Sequence, residues 1–189
     1  MKIVLFTKFI ETSDPRELGE YLTGLGYDGV DLPVRDGYHL NPRNVRKTLP
    51  AAVKTWSEMG LSCKIISTET DLIDPLNPDS TIIYEAAAEA GVPLIKIGFF
   101  RHNSGDDYWE NVSAARRALE GFVRLSERTG VKTVYQTHSG NCLGSNCAGI
   151  MHLLGGLDAT WIGAHIDGGH IAINGEDIEM GLAMCRKYL

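Results

Sequence analysis

Two hydrophobic periods take turns along the chain: short β-rich runs, and longer stretches with apolar residues three or four positions apart. Lys2 to Phe9 is the first β-rich run. Asp14 then stands at a cap position ahead of Pro15, and the helix that this pair predicts runs to about Leu25, where Gly26 ends it. Val30 to Val34, inside GYDGVDLPV, reads as a second strand. A polar loop from Arg35 to Pro42 leads into a helix from about Arg43 to Met59, closed by Gly60. Leu61 to Glu69 is a third strand, followed by a Pro- and Asp-rich loop and a helix from about Ser80 to Ala90 before Gly91. Leu94 to Phe100 is the fourth. The longest helix spans about Asp107 to Arg128, with Val112, Ala115, Leu119, Phe122 and Val123 at helical spacing and Gly130 as its stop. Val131 to Thr137 is the fifth strand; a glycine-rich loop and a short helix, about Ala148 to Leu154, precede the sixth, Trp161 to Asp167. Glu176 to Tyr188 reads as a last helix whose apolar part is Met180, Leu182, Ala183 and Met184.

Strand–helix alternation of this regularity predicts an α/β fold with a parallel sheet and helical crossovers. A doubly wound sheet carries a glycine fingerprint after its first strand, and FTKFIETSDP contains no glycine. The other solution is a (β/α)8 TIM-type barrel, whose active site collects at the C-terminal strand ends. Those ends are polar here: Lys8, Asp31, Arg35, Glu69, Arg101, His102, Gln136, His138, Asp167 and His170. A barrel gathers them on one mouth, although only about six of its eight units are written in this chain.

The 189 residues suit a single domain, 1–189. With 24 acidic against 18 basic residues the net charge is −6, which argues against a nucleic-acid partner. The basic trio Arg43, Arg46 and Lys47 falls on a helix face and reads as solvated. Ile3 to Phe6 is too short for a signal peptide, and no run is long enough to span a membrane. The four cysteines lack a zinc spacing and read as free thiols, which places the chain in a reducing cytoplasm.

The densest chemistry lies in WIGAHIDGGHIAIN. On a strand His165 and Asp167 share a face, and Gly168-Gly169 leaves room for His170 to return over the strand end. The resulting Asp-x-x-His pair suits Mn, Mg, Co or Zn. In the plainer reading, Asp167 and His170 only hydrogen-bond each other at a strand–helix junction. Gln136 and His138 share parity and should both enter the barrel. Lys96, inside IKIGFF, needs either a counter-charge from Asp31 or Glu69 or a substrate oxygen. Glu69 and His102 are candidate substrate contacts or simply loop residues. The glycines and amides of SGNCLGSNCA could cradle a phosphate at the following helix N-terminus.

Three phrases, VYQTHSG, HIDGGH and GYDGVDLPVRDGYHLNP, occur in order on the fifth, sixth and second strands. Through them essentially the whole chain resembles the xylose-isomerase-like barrel superfamily of sugar isomerases and epimerases. The resemblance implies a divalent metal held by a carboxylate ending the fifth strand, an Asp ending the sixth, a His after the seventh and a Glu ending the eighth. Carried over, these positions fall on Gln136 and Asp167, and the last two have no counterpart. His170 matches a substrate-contacting or metal-supporting His, and His138 a His two residues after the fifth-strand acid. The implied activity is metal-dependent proton transfer beside a carbonyl of a sugar, sugar phosphate or polyol-like substrate.

A glutamine can bind metal but cannot act as a base. The base is therefore His138 or an eighth-strand acid, or this chain performs no such transfer. The alternatives are an endonuclease IV-like metal-dependent hydrolase and a non-catalytic sugar- or metal-binding relative or inactive fragment. A barrel of ~250 residues would leave this chain as its N-terminal part, with free sheet edges at the first and sixth strands and a tendency to form homo-oligomers.

Overall fold

The computed structural model of the chain describes residues 2–189. Six strands, β1 (Val4–Phe6), β2 (Gly29–Pro33), β3 (Ser62–Ser67), β4 (Leu94–Lys96), β5 (Lys132–Gln136) and β6 (Ile162–His165), form one sheet in sequential order. Every pair is parallel. The connections are α1 (Pro15–Gly24), α2 (Val45–Glu58), α3 (Pro78–Ala90), α4 (Tyr108–Thr129) and α5 (Cys147–Leu154), and the chain continues through α6 (Gly168–Ile173) and α7 (Ile178–Cys185). This is the α/β arrangement of a TIM-type barrel, present as six consecutive units. Among the described residues β1 and β6 pair on one side only.

The helix boundaries follow from local chemistry. Asp14, Asn77 and Asp107 each accept a hydrogen bond from the first turn of the helix they precede, at 2.8, 2.9 and 2.8 Å, satisfying amides that have no partner inside the helix. Gly91 and Gly130 end α3 and α4 in the left-handed region, φ 73° and 76°, where a side chain is strained. Trp56, Leu49, Ile83, Tyr84, Leu119 and Phe122 then fill the space between helices and sheet. Arg43 pairs with Asp36 at 2.9 Å and Arg46 with Glu85, both at the surface, as a solvated helix face requires.

Several expected elements change for physical reasons. The expected fourth strand to Phe100 stops at Lys96 because the chain peels off to another partner: Gly98 N donates to Leu72 O at 3.0 Å and Phe99 N to Thr70 O at 2.8 Å. A Cβ at Gly98 would lie 2.6 Å from Thr70 O, so glycine permits this approach. The first strand stops at Phe6, and Thr7–Phe9 is a 3-10 turn from which Thr7 Oγ1 donates to Asp31 O at 3.1 Å.

The last helix also differs. It starts at Ile178 and buries Gly181 and Cys185, while Met180 and Leu182, expected on its inner face, are 57% and 38% exposed. The inward position against Cys147 requires glycine, since an added Cβ at Gly181 would lie 2.8 Å from Cys147 Sγ. All four cysteines are free and buried.

Candidate functional site

Parallel pairing in this register sets the polar strand ends side by side, with Gln136 opposite His165 and Ser67 opposite Lys96. At the end of β5, Gln136 Nε2 donates to Asp167 Oδ2 at 2.7 Å. The other carboxylate oxygen caps α6, accepting Gly169 N at 2.9 Å and His170 N at 3.1 Å. Asp167 N is held in turn by Thr137 Oγ1 at 2.8 Å. Burial alone would raise the Asp167 carboxyl. The His170 amide and charge, the Gln136 amide and the Gly169 amide outweigh it and hold Asp167 below the ordinary carboxylate range.

His170 does not bond Asp167 through its ring, since Nε2 and Oδ2 are 3.9 Å apart. The Asp167–His170 junction is a backbone cap instead. The ring turns to Ser139, Nδ1 to Oγ 2.8 Å, and packs at a tilt against His138 with centroids 4.0 Å apart. His138 also faces Phe99, centroids 4.3 Å apart, and its Nδ1 lies 2.9 Å from Ser139 O. A carbonyl only accepts, so this contact assigns the proton to Nδ1 and leaves Nε2 as the free basic nitrogen. Burial, with the charges of His170, Arg101 and Lys96, holds His138 below its ordinary value against the opposing Ser139 bond, so it is neutral at pH 7.

The interior wall carries Lys96, Asp31 and Arg35, which are 5%, 7% and 6% exposed. Lys96 forms neither of the two ion pairs expected for it. Its Nζ sits 5.0 Å from the Phe99 ring centroid. Asp31 accepts from Ser67 Oγ at 2.7 Å, and Glu69 accepts from Asp36 N at 2.7 Å, tying down the β2–α2 loop rather than entering the mouth. His102 is likewise turned away: its ring meets Asn111 Nδ2 at 3.2 Å and the edge of Tyr108 on α4. His165, given no role by the sequence beyond sharing a face with Asp167, is within reach of the charges of Lys96 and Asp167, and burial holds it low.

Burial, then the charge of Arg35, lowers Lys96 from 10.5 to about 8, against the opposing pull of Asp31. Burial raises Asp31 to about 6, with Ser67, Lys96 and Arg35 opposing. A lysine weakened by folding binds its proton less tightly in the folded chain than in the unfolded one. Stability is therefore depressed below pH 8 and recovers as pH rises toward 10.5. Lys96→Met is expected to be more stable than the parent at pH 7 by up to about 3 kcal/mol, at 1.36 kcal/mol per unit. The gain should fade between pH 8 and 10.5. Urea midpoints at pH 7 and 10 check this, and a difference that does not move with pH would rule it out.

The glycine-rich loop before α5 does not receive a phosphate at that helix. Asn146 Oδ1 accepts Gly149 N at 2.7 Å, and the Glu176 carboxylate accepts Cys147 N with both oxygens, at 2.8 and 3.0 Å. The chain's own carboxylate fills the anion position.

A divalent metal would find Asp167 Oδ2 and, after rotation of its amide, Gln136 Oε1 as adjacent oxygen donors. Among the described residues no group of three or more His, Cys, Asp or Glu is arranged around one point. The pair fits a hard cation of the Mg or Mn kind that keeps water or substrate oxygens in its other positions, not a metal held by the protein alone.

No protein-family model and no curated protein matches the chain. Its fold is that of the xylose-isomerase-like TIM barrels, and similar solved structures cover all of it. They include a 3-keto-D-glucoside 4-epimerase from E. coli (TM-score 0.80, 17% identity, 76% of that chain covered) and a D-psicose 3-epimerase from Clostridium cellulolyticum H10 solved with D-tagatose (0.80, 13%, 71%). A probable 3-DHS dehydratase from Bacillus anthracis is comparable (0.77, 18%, 71%). No helix of the described residues is long and apolar enough to cross a membrane.

Proposed function

We propose that the chain contributes the mouth of a sugar isomerase or epimerase that moves a proton beside a carbonyl. The observation that carries this reading is the Gln136–Asp167 pair, 2.7 Å apart at the ends of neighbouring strands, on a fold shared with sugar epimerases. His138 is the base in this reading: its Nε2 is free, its neutral form is held by burial, and the tilted rings of His170 and Phe99 pack against it. Removal of a proton from the carbon next to a carbonyl gives an enediolate. Returning the proton from His138 to the adjacent carbon, with the hydroxyl proton passing from one oxygen to the other, isomerises the sugar. Return to the opposite face, which epimerises it, needs a second proton donor on that face.

Asp167 orients the sugar hydroxyl beside that carbonyl. A divalent metal, where bound, would be held by Asp167 and Gln136 and would polarise that carbonyl. The test is deuterium incorporation from D2O into D-fructose and D-tagatose, followed by NMR with and without Mn2+. Exchange at the carbon beside the carbonyl supports the reading; its absence with a panel of keto-sugars would sink it.

A binding role without turnover is favoured by one fact: the residue at the end of β5 is an amide, not an acid. Gln136→Glu separates the readings. A second carboxylate facing Asp167 repels it when no cation is present, so the variant is expected to melt lower than the parent in EDTA. Mn2+ should raise its melting temperature by more than it raises the parent's. If Mn2+ shifts neither protein, the pair is a plain hydrogen bond and the metal is discarded. A gain of exchange activity in the variant marks the parent as a binder that lacks an acid.

A further inference from the structure

Resting on that reading for the body of the substrate, we infer that the mouth is built to take an anionic group, a carboxylate or a phosphoryl, held by Arg35 and Lys96. Arg35 is 6% exposed, and its Nε is the one buried side-chain nitrogen or oxygen among the described residues without a hydrogen-bond partner. Buried polar groups are nearly always paired, and an unpaired charged donor carries a desolvation cost that an incoming acceptor removes. Lys96, 5% exposed as a residue, likewise makes no side-chain hydrogen bond to the described residues, although its Nζ is not sealed from solvent as Arg35 Nε is. None of the ion pairs within 4.0 Å among the described residues involves either side chain. Both cations rest on aromatic rings instead, Arg35 Cζ 5.6 Å from the Phe6 centroid and Lys96 Nζ 5.0 Å from that of Phe99. A ring face steadies the charge but leaves the N–H donors free.

The chain's own acids do not complete these donors. Asp31 is engaged with Ser67, Asp167 with Gln136 and the α6 amides, and Glu69 with Asp36 N. Lys8 adds a third cation whose charge reaches Lys96. Lys8, Arg35 and Lys96 thus face Asp31 and Asp167, a local positive surplus in a chain whose net charge is −6. The surplus is a feature of the site, not of the composition.

The other place where an anion was expected, the N-terminus of α5, is closed by Glu176. The guanidinium fork matches the paired oxygens of a carboxylate or phosphoryl group.

Calorimetric titration at low salt compares D-glucuronate, D-glucose 6-phosphate and D-glucose, with inorganic phosphate as a fourth probe. At least one of the two charged sugars is expected to bind about 10- to 100-fold tighter than glucose, the range for hydrogen bonds to charged groups. Whichever is tighter identifies the carboxylate or the phosphoryl, and competition by inorganic phosphate supports the second. Arg35→Gln and Lys96→Met should each bring the charged sugar to the level of glucose. Lys96→Met, expected to be the more stable protein, keeps the test available if Arg35→Gln does not fold.

Equal binding of all three sugars, no binding of any, or an advantage that survives Lys96→Met overturns the inference. Glucose binding with deuterium exchange on neutral keto-sugars would leave the enzyme reading standing without the anion site. Arg35-dependent binding of a charged sugar with no exchange would do the reverse.

Discussion

Asp167→Asn is expected to leave the chain folded while lowering deuterium exchange, under the proposed function, by roughly 10²–10³-fold, the range for removing one preorganised electrostatic contact. The prediction rests on the two jobs that the Asp167 side chain performs. One oxygen caps α6 through Gly169 and His170, and asparagine caps a helix about as well as aspartate. The other accepts from Gln136, and rotation of the Gln136 amide lets that bond reform with the polarity reversed. What the substitution removes is the negative charge that orients a hydroxyl or a cation. Asp167→Ala removes the cap as well and should cost a further 0.5–2 kcal/mol or so of stability. Exchange rates and urea midpoints measured on both variants separate the two jobs. A variant Asp167→Asn that exchanges as fast as the parent would take Asp167 out of the chemistry and leave it as a cap.

Trp56→Ala should cost about 3–5 kcal/mol in unfolding free energy, the range for emptying a buried aromatic site. Trp56 is 1% exposed in the layer between α2 and the sheet, and its indole Nε1 donates to Pro15 O at 2.8 Å. The bond ties α2 to the first turn of α1, so the loss reaches the β1–α1 segment that carries Thr7 and Lys8 to the mouth. Domains commonly have only about 5–15 kcal/mol in total, and the variant should be partly unfolded at 37 °C. Trp56→Phe keeps most of the volume and loses the bond, and should cost about 1–2 kcal/mol. Guanidinium unfolding followed by far-UV circular dichroism measures both. Equal midpoints for Trp56→Ala and Trp56→Phe would show that the site collapses around the cavity.

Asp167 also shows where sequence reading reaches its end at the site. Its place at the end of β6 on the face of His165 follows from strand parity, which is local and periodic. Its nearness to Gln136 is implied only by the family resemblance, and its hydrogen bond to that residue comes from the inter-strand register. The helix it caps did not stand out, because α6 begins with Gly168-Gly169, the poorest of helix formers apart from proline, and lasts only six residues. The same side chain that reads as a metal ligand also starts that helix. The helix N-terminus at Cys147 failed for the opposite reason. Its amides are a fair anion site taken locally, and the group that closes it, Glu176, lies 29 residues further along the chain. Glu69 lies just past the end of β3, where the Asp36 amide claims it. His102 is expected at the end of the fourth strand, but β4 ends well before it and side chains of α4 hold its ring.

The amino-acid sequence by itself determined the alternation of strand and helix, the helix caps and stops, and the side of the sheet on which polar side chains collect. Each of these depends on residues within a turn or two of one another: Asp14 and Pro15 start α1, and Gly91 and Gly130 stop α3 and α4 through φ values that only glycine takes without strain. Only the tertiary structure decided which polar groups neutralise one another. Lys96 forms no pair with Asp31, Arg35 stays unpartnered beneath the mouth, and Glu176 rather than a ligand meets Cys147. Those outcomes turn on distances of a few ångströms between residues dozens of positions apart, and a hydrogen bond or ion pair is made or lost over about one ångström.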